Sequence, residues 1–357
     1  MQQTMQSPVE TDAIIVGAGP VGLFQIFQLG LLGIHAHVID ALPHPGGQCA
    51  ELYADKPIYD IPALSICSGR ELVERLLVQV APFKPDFHFH QTVDSVQLQP
   101  DQRYRVQTSR GTVFLTKTLF IAAGVGAFLP RTLKVEGLAA FIGQQIEYQA
   151  THLEIAAGKS VVVVGGDDAA LEAAIALATP NSTSQKPITP GLTLVHRRDV
   201  FQAHPDTIAR FQSLCARGVA HFIAGQVTGF VSDQQRLISV EVTDTSDQMH
   251  SVSLDLLLPY LGLSPKLGPI SQWGLAMERK QIQVNTATFE TSARAIFAVG
   301  DINTYPGKKK LIVCGFHEAT LAAYGASDII FPGRNTPLQY TTTSPALHQL
   351  LGVAREL

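Results

Sequence analysis

The chain has 357 residues, 46% hydrophobic and 16% charged, with a formal net charge of -4. That length exceeds one ordinary core and suits two domains, in a composition typical of globular proteins. Mild acidity without a basic block argues against nucleic acid as a partner, and no run of about eighteen apolar residues predicts a membrane span.

In chain order, the polar start MQQTMQSPVETD does not read as a secretory signal. The apolar run AIIV at 13–16 reads as a buried parallel strand. GAGPVG follows at 17–22, then an apolar helix over 23–32 stopped near Gly33. A second strand, AHVI at 36–39, ends in Asp40. Each residue has a physical reason. Gly17 permits a tight turn, Gly19 lets backbone approach a pyrophosphate, and Gly22 lets the helix pack closely on the strand. The helix start offers unpaired N–H groups and the positive end of its dipole to phosphates. Asp40 accepts hydrogen bonds from a ribose diol and repels a 2'-phosphate. The first site is therefore expected to take an unphosphorylated adenosine, as in FAD.

Short alternating runs at 93–98, 104–108 and 112–115 predict an antiparallel piece. A strand at 118–121 then returns to the nucleotide domain at Ala122-Ala123-Gly124, and a linker begins near 128–130. The first pattern recurs in the middle of the chain. A buried strand at 161–164 runs into GGDDAA at 165–170, a helix over 171–178, and a strand at 192–195 ending in His196-Arg197-Arg198. The Pro-, Ser- and Thr-rich stretch 179–191 reads as an exposed irregular loop. Arginines at the end of the ribose-facing strand suit a 2'-phosphate and hence NADPH. In this copy Gly165 and Ala170 fill the first and third glycine positions, but Asp167 stands at the second. A carboxylate there brings bulk and like charge toward a pyrophosphate. Either the turn aims Asp167 away, or NADPH binding is weakened or lost.

The run at 256–262 resembles the return strand of the second domain, and 281–284 reads as a short strand. AIFAVGD at 295–301 predicts a strand ending in Asp301, where ligands of parallel sheets bind. A small-residue apolar helix follows over 318–330. The fold class expected is α/β, with two Rossmann-like three-layer dinucleotide-binding domains, the NADPH domain inserted into the FAD domain. The boundaries expected are 1–122 and 288–357 for the FAD domain and 123–287 for the inserted domain. The four cysteines, Cys49, Cys67, Cys215 and Cys314, form no CxxC, and no Cys/His cluster has metal-ligand spacing. No metal is expected, and the cysteines are read as reduced, in a cytoplasmic protein.

The stretches GAGPVG at 17–22, GGQCAELYADKPIYD at 46–60, GKSVVVVGGDDAALEAA at 158–174, HRRDVFQAH at 196–204 and FAVGDINTYPGKKKLIVCGFHEAT at 297–320 carry a family resemblance. The sequence resembles the ferredoxin–NADP reductases of the thioredoxin-reductase-like type, over about residues 11–345. The resemblance implies FAD and NADP(H) as cofactors, ferredoxin or flavodoxin as partner, and a homodimer. Electrons would pass through the flavin by hydride and one-electron steps. It implies that Gly17, Gly19, Pro20, Gly22 and Asp40 hold the ADP part of FAD, with Gln48 beside the flavin or ribityl chain. Tyr53 would stack on one flavin face. Tyr340, in a C-terminal extension that reaches the partner subunit, would cover the other. Asp301 would bind the ribityl or pyrophosphate region and Thr304 would lie near the pyrimidine edge. Gly165, Gly166, Ala170, His196, Arg197 and Arg198 would hold NADPH. No acid–base residue is implied. Thioredoxin reductases carry a CxxC just before the second glycine motif. IEYQAT stands there at 146–151, so disulfide exchange by that route is excluded. Two alternatives stay open: an NAD(P)H-dependent flavoprotein reductase or oxidase with another acceptor, and an FAD-binding protein whose NADPH site is impaired by Asp167.

Overall fold

The structure is a computed structural model describing residues 7–150, 152–179, 189–334 and 340–352. Most of the loop expected over 179–191 lies outside the described residues. The chain divides into two compact units, Met1–Phe128 with Pro265–Leu357, and Leu129–Ser264. The first crossing falls six residues after the boundary expected at 122, and the return comes well before 288. The reason is packing. Ile270, Leu275 and Ile282 are buried with Ile14, Val16 and Leu119 of the first unit, and Gln281–Gln283 pairs in parallel with Asn303–Thr304. Residues 265–287 therefore belong to the first unit.

The first unit is built on a seven-stranded sheet. Asp86–His88, Ala36–Ile39, Val9–Val16 and Val113–Ile121 run parallel. Val93–Leu98 and Tyr104–Thr108 extend the sheet antiparallel beyond Val113–Ile121. The runs expected as separate strands at 112–115 and 118–121 form this one strand. Its first half pairs antiparallel with Tyr104–Thr108, and its second half pairs parallel with Ile296–Ala298. Period-two alternation divides the side chains between two cores. Ala13, Ile15 and Val38 pack under the helices Pro20–Leu31, Gly69–Val80 and Ile312–Ile330. Ile14, Val16 and Ile39 face the opposite layer with Val93, Tyr104 and Ile282.

The second unit repeats the plan in a six-stranded sheet. Leu256–Tyr260, Ser160–Gly165, Gly191–His196 and His221–Asp233 lie side by side in parallel, and Arg236–Asp244 and Met249–Ser253 add an antiparallel edge. Val161 and Val163 pack on the helix Asp168–Ala178, while Val162 and Val164 meet Val227, Val240 and Val242. Strands buried on both faces read as continuous apolar runs. Among the described residues no helix is long and apolar enough to cross a membrane.

Candidate functional site

The two glycine turns leave equivalent strands of their sheets but are built differently. In the first unit, Gly17 holds φ +109°, and a Cβ there would press on the Ala122 carbonyl. Only glycine fits that turn. The helix Pro20–Leu31 starts on Gly19, whose extended backbone gives no side-chain cap, and no acid stands in the first turn. Pro20 at the first position has no N–H to leave unpaired. The N–H groups of Val21 and Gly22 have no carbonyl four residues back within the helix. They add orphan donors to the positive end of the dipole. A second glycine turn closes against the first. Gly46 N–H donates to the Ala18 carbonyl at 2.9 Å, and a Cβ on Gly47 would lie 3.1 Å from Gly19 Cα. The result is a backbone-walled cradle for an anion.

Asp40 follows the strand Ala36–Ile39 and anchors this cradle. Its carboxylate accepts from Ala18 N–H at 2.6 Å and from Leu42 N–H at 2.8 Å. Burial pushes the carboxyl up from its ordinary value, while those two N–H groups pull it down. Each oxygen keeps a lone pair for a further donor. Gln48 and Asp301, 253 residues apart in sequence, meet: Gln48 Nε2 donates to Asp301 Oδ2 at 3.2 Å. Tyr53 is half-buried beside an open cavity of about 510 Å³, also lined by Lys56, Tyr59, Lys310, Leu311 and Ile312. Burial and the contact from Cys49 Sγ, 3.5 Å from the phenol oxygen, push the Tyr53 hydroxyl up, so it stays neutral. Thr304 sits at the end of the short strand paired with Gln281–Gln283. Tyr340 is 68% exposed and heads a 3-10 turn over Thr341–Thr343.

Sequence reasoning missed Glu318. It is fully buried, and its carboxylate accepts from Gly300 N–H at 2.7 Å, Asn303 Nδ2 at 2.8 Å and Tyr305 Oη at 2.9 Å, and pairs with Lys308 Nζ. Lys308 also donates to the Gly300 carbonyl at 2.9 Å. Asp301 is thus carried on a segment tied at both ends to one buried carboxylate. The available signal was a lone acid in the small-residue run IVCGFHEATLAA, which begins the helix at Ile312 rather than at 318.

The second turn fills itself. Gly165 abuts the Tyr260 carbonyl and Ala170, and a side chain on Gly166 would overlap the His196 ring. Asp167 caps the helix Asp168–Ala178, accepting from Ala170 N–H at 3.1 Å. Asp168 accepts from His204 N–H at 2.8 Å. The side chain of Asp167 is therefore turned onto its own helix rather than left loose in the turn. It also places a carboxylate where the first helix leaves its donors open. Burial, then the charges of Arg197 and Arg198, hold the His196 imidazole below its usual value and hence neutral at pH 7. Arg197 and Arg198 are exposed and make no ion pair among the described residues.

Gly22 shows how tightly the first turn is set, because a Cβ there would overlap the Gly17 carbonyl oxygen. Gly22→Ala is expected to destabilise the fold by about 1–3 kcal/mol through overpacking, read as a lowered thermal midpoint. An unchanged midpoint would mean that the helix can lift off the strand freely.

Two Rossmann-like sheets, each with a glycine turn opening a helix, define a two-unit α/β nucleotide-type fold. The chain belongs to the pyridine nucleotide-disulphide oxidoreductase family, whose model matches residues 11–323. It is 55% identical over 350 residues to a ferredoxin–NADP reductase of Albidiferax ferrireducens, covering 98% of this chain and 97% of that one. It is also 55% identical over 346 residues to one of Methylibium petroleiphilum, covering 97% and 93%. Solved structures of similar fold include a thioredoxin reductase of T. acidophilum, 20% identical with a TM-score of 0.53, covering 89% of this chain and 98% of that one. Another is a bacillithiol disulfide reductase of Staphylococcus aureus, 16% identical with a TM-score of 0.56, covering 88% and 98%.

Proposed function

We propose that this chain is an FAD-dependent ferredoxin–NADP(+) reductase. The observation that carries the reading is the first cradle: an uncapped helix start faced by a second glycine turn, with Asp40 bonded to Ala18 in the first turn and Gln48, directly after the second, bonded to Asp301. It fits the pyrophosphate and ribose of FAD. The names of the relatives at 55% identity supply NADP and ferredoxin as the two electron partners. Backbone N–H groups at Val21 and Gly22 would hold the pyrophosphate, and Asp40 would accept from the ribose diol. Gln48, Asp301 and Thr304 would orient the ribityl chain and ring, and the Tyr53 ring would cover one flavin face. In the second unit Gly165, Gly166 and Ala170 would receive the NADPH pyrophosphate, with His196, Arg197 and Arg198 around the 2'-phosphate. Bound flavin supplies the chemistry that couples a two-electron nicotinamide donor to a one-electron carrier. The protein's part is to bind and to orient.

The proposal extends to a cytoplasmic homodimer, in which the exposed Tyr340 of one subunit covers the second flavin face of its partner, and to flavodoxin as an alternative carrier.

Anaerobic addition of NADPH should bleach the flavin absorbance much faster than NADH does. Later addition of ferredoxin should restore it and support cytochrome c reduction. Failure of NADPH to bleach the flavin would overturn the reading. Bleaching without transfer to ferredoxin or flavodoxin would move the protein to another acceptor.

Asp167 gives a sharper test of the second site. Glycine is nearly as good a helix cap as aspartate, so Asp167→Gly should cost only a few tenths of a kcal/mol in stability. It also removes a negative charge from the helix start, worth about 1 kcal/mol against a phosphate across solvated distance. NADPH titration should show roughly fivefold tighter binding. Unchanged binding would mean that the cap and the pyrophosphate do not compete.

A further inference from the structure

Three residues that no cofactor uses converge at the open edge of the first unit's sheet. His35 precedes the strand Ala36–Ile39 and His37 lies within it. Their two-residue spacing directs both imidazoles to one face. The neighbouring edge strand Asp86–His88 puts Asp86 in register with His37. Asp86 Oδ2 lies 3.6 Å from His35 Nε2 and 3.8 Å from His37 Nε2. All three ligand atoms lie within 4.8 Å of one another.

We propose that His35, His37 and Asp86 form a binding site for a divalent transition metal, with zinc as the cation it fits best. Zinc takes nitrogen at about 2.0–2.1 Å and carboxylate oxygen at about 2.0–2.2 Å in tetrahedral geometry. Ligand atoms around it are then about 3.3–3.5 Å apart, within a few tenths of an ångström of the two separations to Asp86. Two imidazoles and one carboxylate are a borderline donor set that suits zinc, nickel or copper over magnesium or calcium. The Lys84 carbonyl, 3.2 Å from His35 Nε2, lies close enough to serve, with water, at the fourth position.

A second observation points to a ligand. His37 Nδ1 lies 3.0 Å from His88 Nε2, with the two rings stacked at 5.3 Å. When Nδ1–H donates to His88, the Nε2 lone pair of His37 is left aimed at Asp86 and His35. A hydrogen bond from the far nitrogen is the usual way a ligating histidine is oriented and made more basic. His88 is thus a positioning residue.

The site would clamp the three-residue edge strand to its neighbour. That join leads straight to Asp40, whose N–H donates to the His88 carbonyl at 3.1 Å. The metal would steady the strand end that presents the ribose-binding carboxylate.

The test uses the untagged, flavin-loaded full chain, stripped with chelator and titrated with zinc chloride by calorimetry. One zinc per chain is expected. At a hundredfold excess over its Kd, zinc should raise the thermal midpoint by about 5–10 °C. His35→Ala/His37→Ala should abolish the event with an unchanged circular dichroism spectrum. His88→Gln should weaken binding about 10–100-fold, the usual cost of losing such a partner. Cobalt(II) in place of zinc should give the visible bands of a tetrahedral site in the parent and not in the double variant. No stoichiometric binding, or binding that survives the double variant, overturns the proposal. Zinc binding indifferent to His88→Gln overturns the orienting role.

Discussion

Replacing Arg197 and Arg198 together with alanine is expected to raise the KM for NADPH about 100-fold and leave that for NADH within about twofold. The strand Gly191–His196 lies beside Ser160–Gly165, whose turn opens the second helix. Both arginines follow its end, exposed and free of ion pairs among the described residues. A charge-assisted hydrogen bond contributes about 1.5–3 kcal/mol. Exposure argues for the lower figure, and two arginines then give about 3 kcal/mol, a little over two decades in affinity. NADH has no 2'-phosphate and loses nothing. Arg197→Lys and Arg198→Lys should fall between, because lysine keeps the charge but not the planar fork. High salt should narrow the NADPH preference of the parent by screening. An equal loss for both nucleotides in the double alanine variant would locate the phosphate readout elsewhere.

Local pattern and long-range closure were not equally legible. The first turn was readable because each requirement lies within thirty residues: a buried strand, three glycines, a helix and an acid. Asp167 was readable as a departure but not as a cap. Its own chemistry held the clue, since aspartate at a helix start turns back to bond the N–H three residues on. The single strand Val113–Ile121 was read as two because its exposure changes along its length. Lys117 faces solvent, while Thr118 to Ile121 are buried on both faces. A change of neighbour on one side of a strand leaves no break in propensity. The early start of the helix Ile312–Ile330 was hidden for a related reason: Leu311, the residue before it, makes no side-chain cap. His35 and His37 were not singled out in the sequence: a two-residue spacing is common in strands, and the Asp86 that joins them is set by strand register. Gln48 with Asp301, and Glu318 with Gly300, are closures that only the folded chain produces.

Glu318→Ala is expected to cost the first unit about 3–5 kcal/mol, because it leaves the Lys308 ammonium buried and unpaired. For a unit of this size that corresponds to a fall of about 10 °C in thermal midpoint. The flavin should be lost on gel filtration as well, since Gly300, Asn303, Tyr305 and Lys308 all lean on this carboxylate and Asp301 sits among them. A second variant separates strength from positioning. Replacing a buried ion pair by apolar residues of similar volume is often neutral for stability. Lys308→Met/Glu318→Leu should therefore recover the part of the midpoint lost to the unpaired ammonium, while the Gly300 N–H and Tyr305 hydroxyl that donated to Glu318 hold it below that of the parent. It should not recover flavin affinity, because the Gly300 N–H loses its acceptor and the Asn303 side chain keeps only the Ala298 carbonyl, and Asp301 loses its fixed approach to Gln48. Recovery of both would reduce Glu318 to a stabilising residue. Recovery of the midpoint alone would identify the buried carboxylate as the group that holds Asp301 in place.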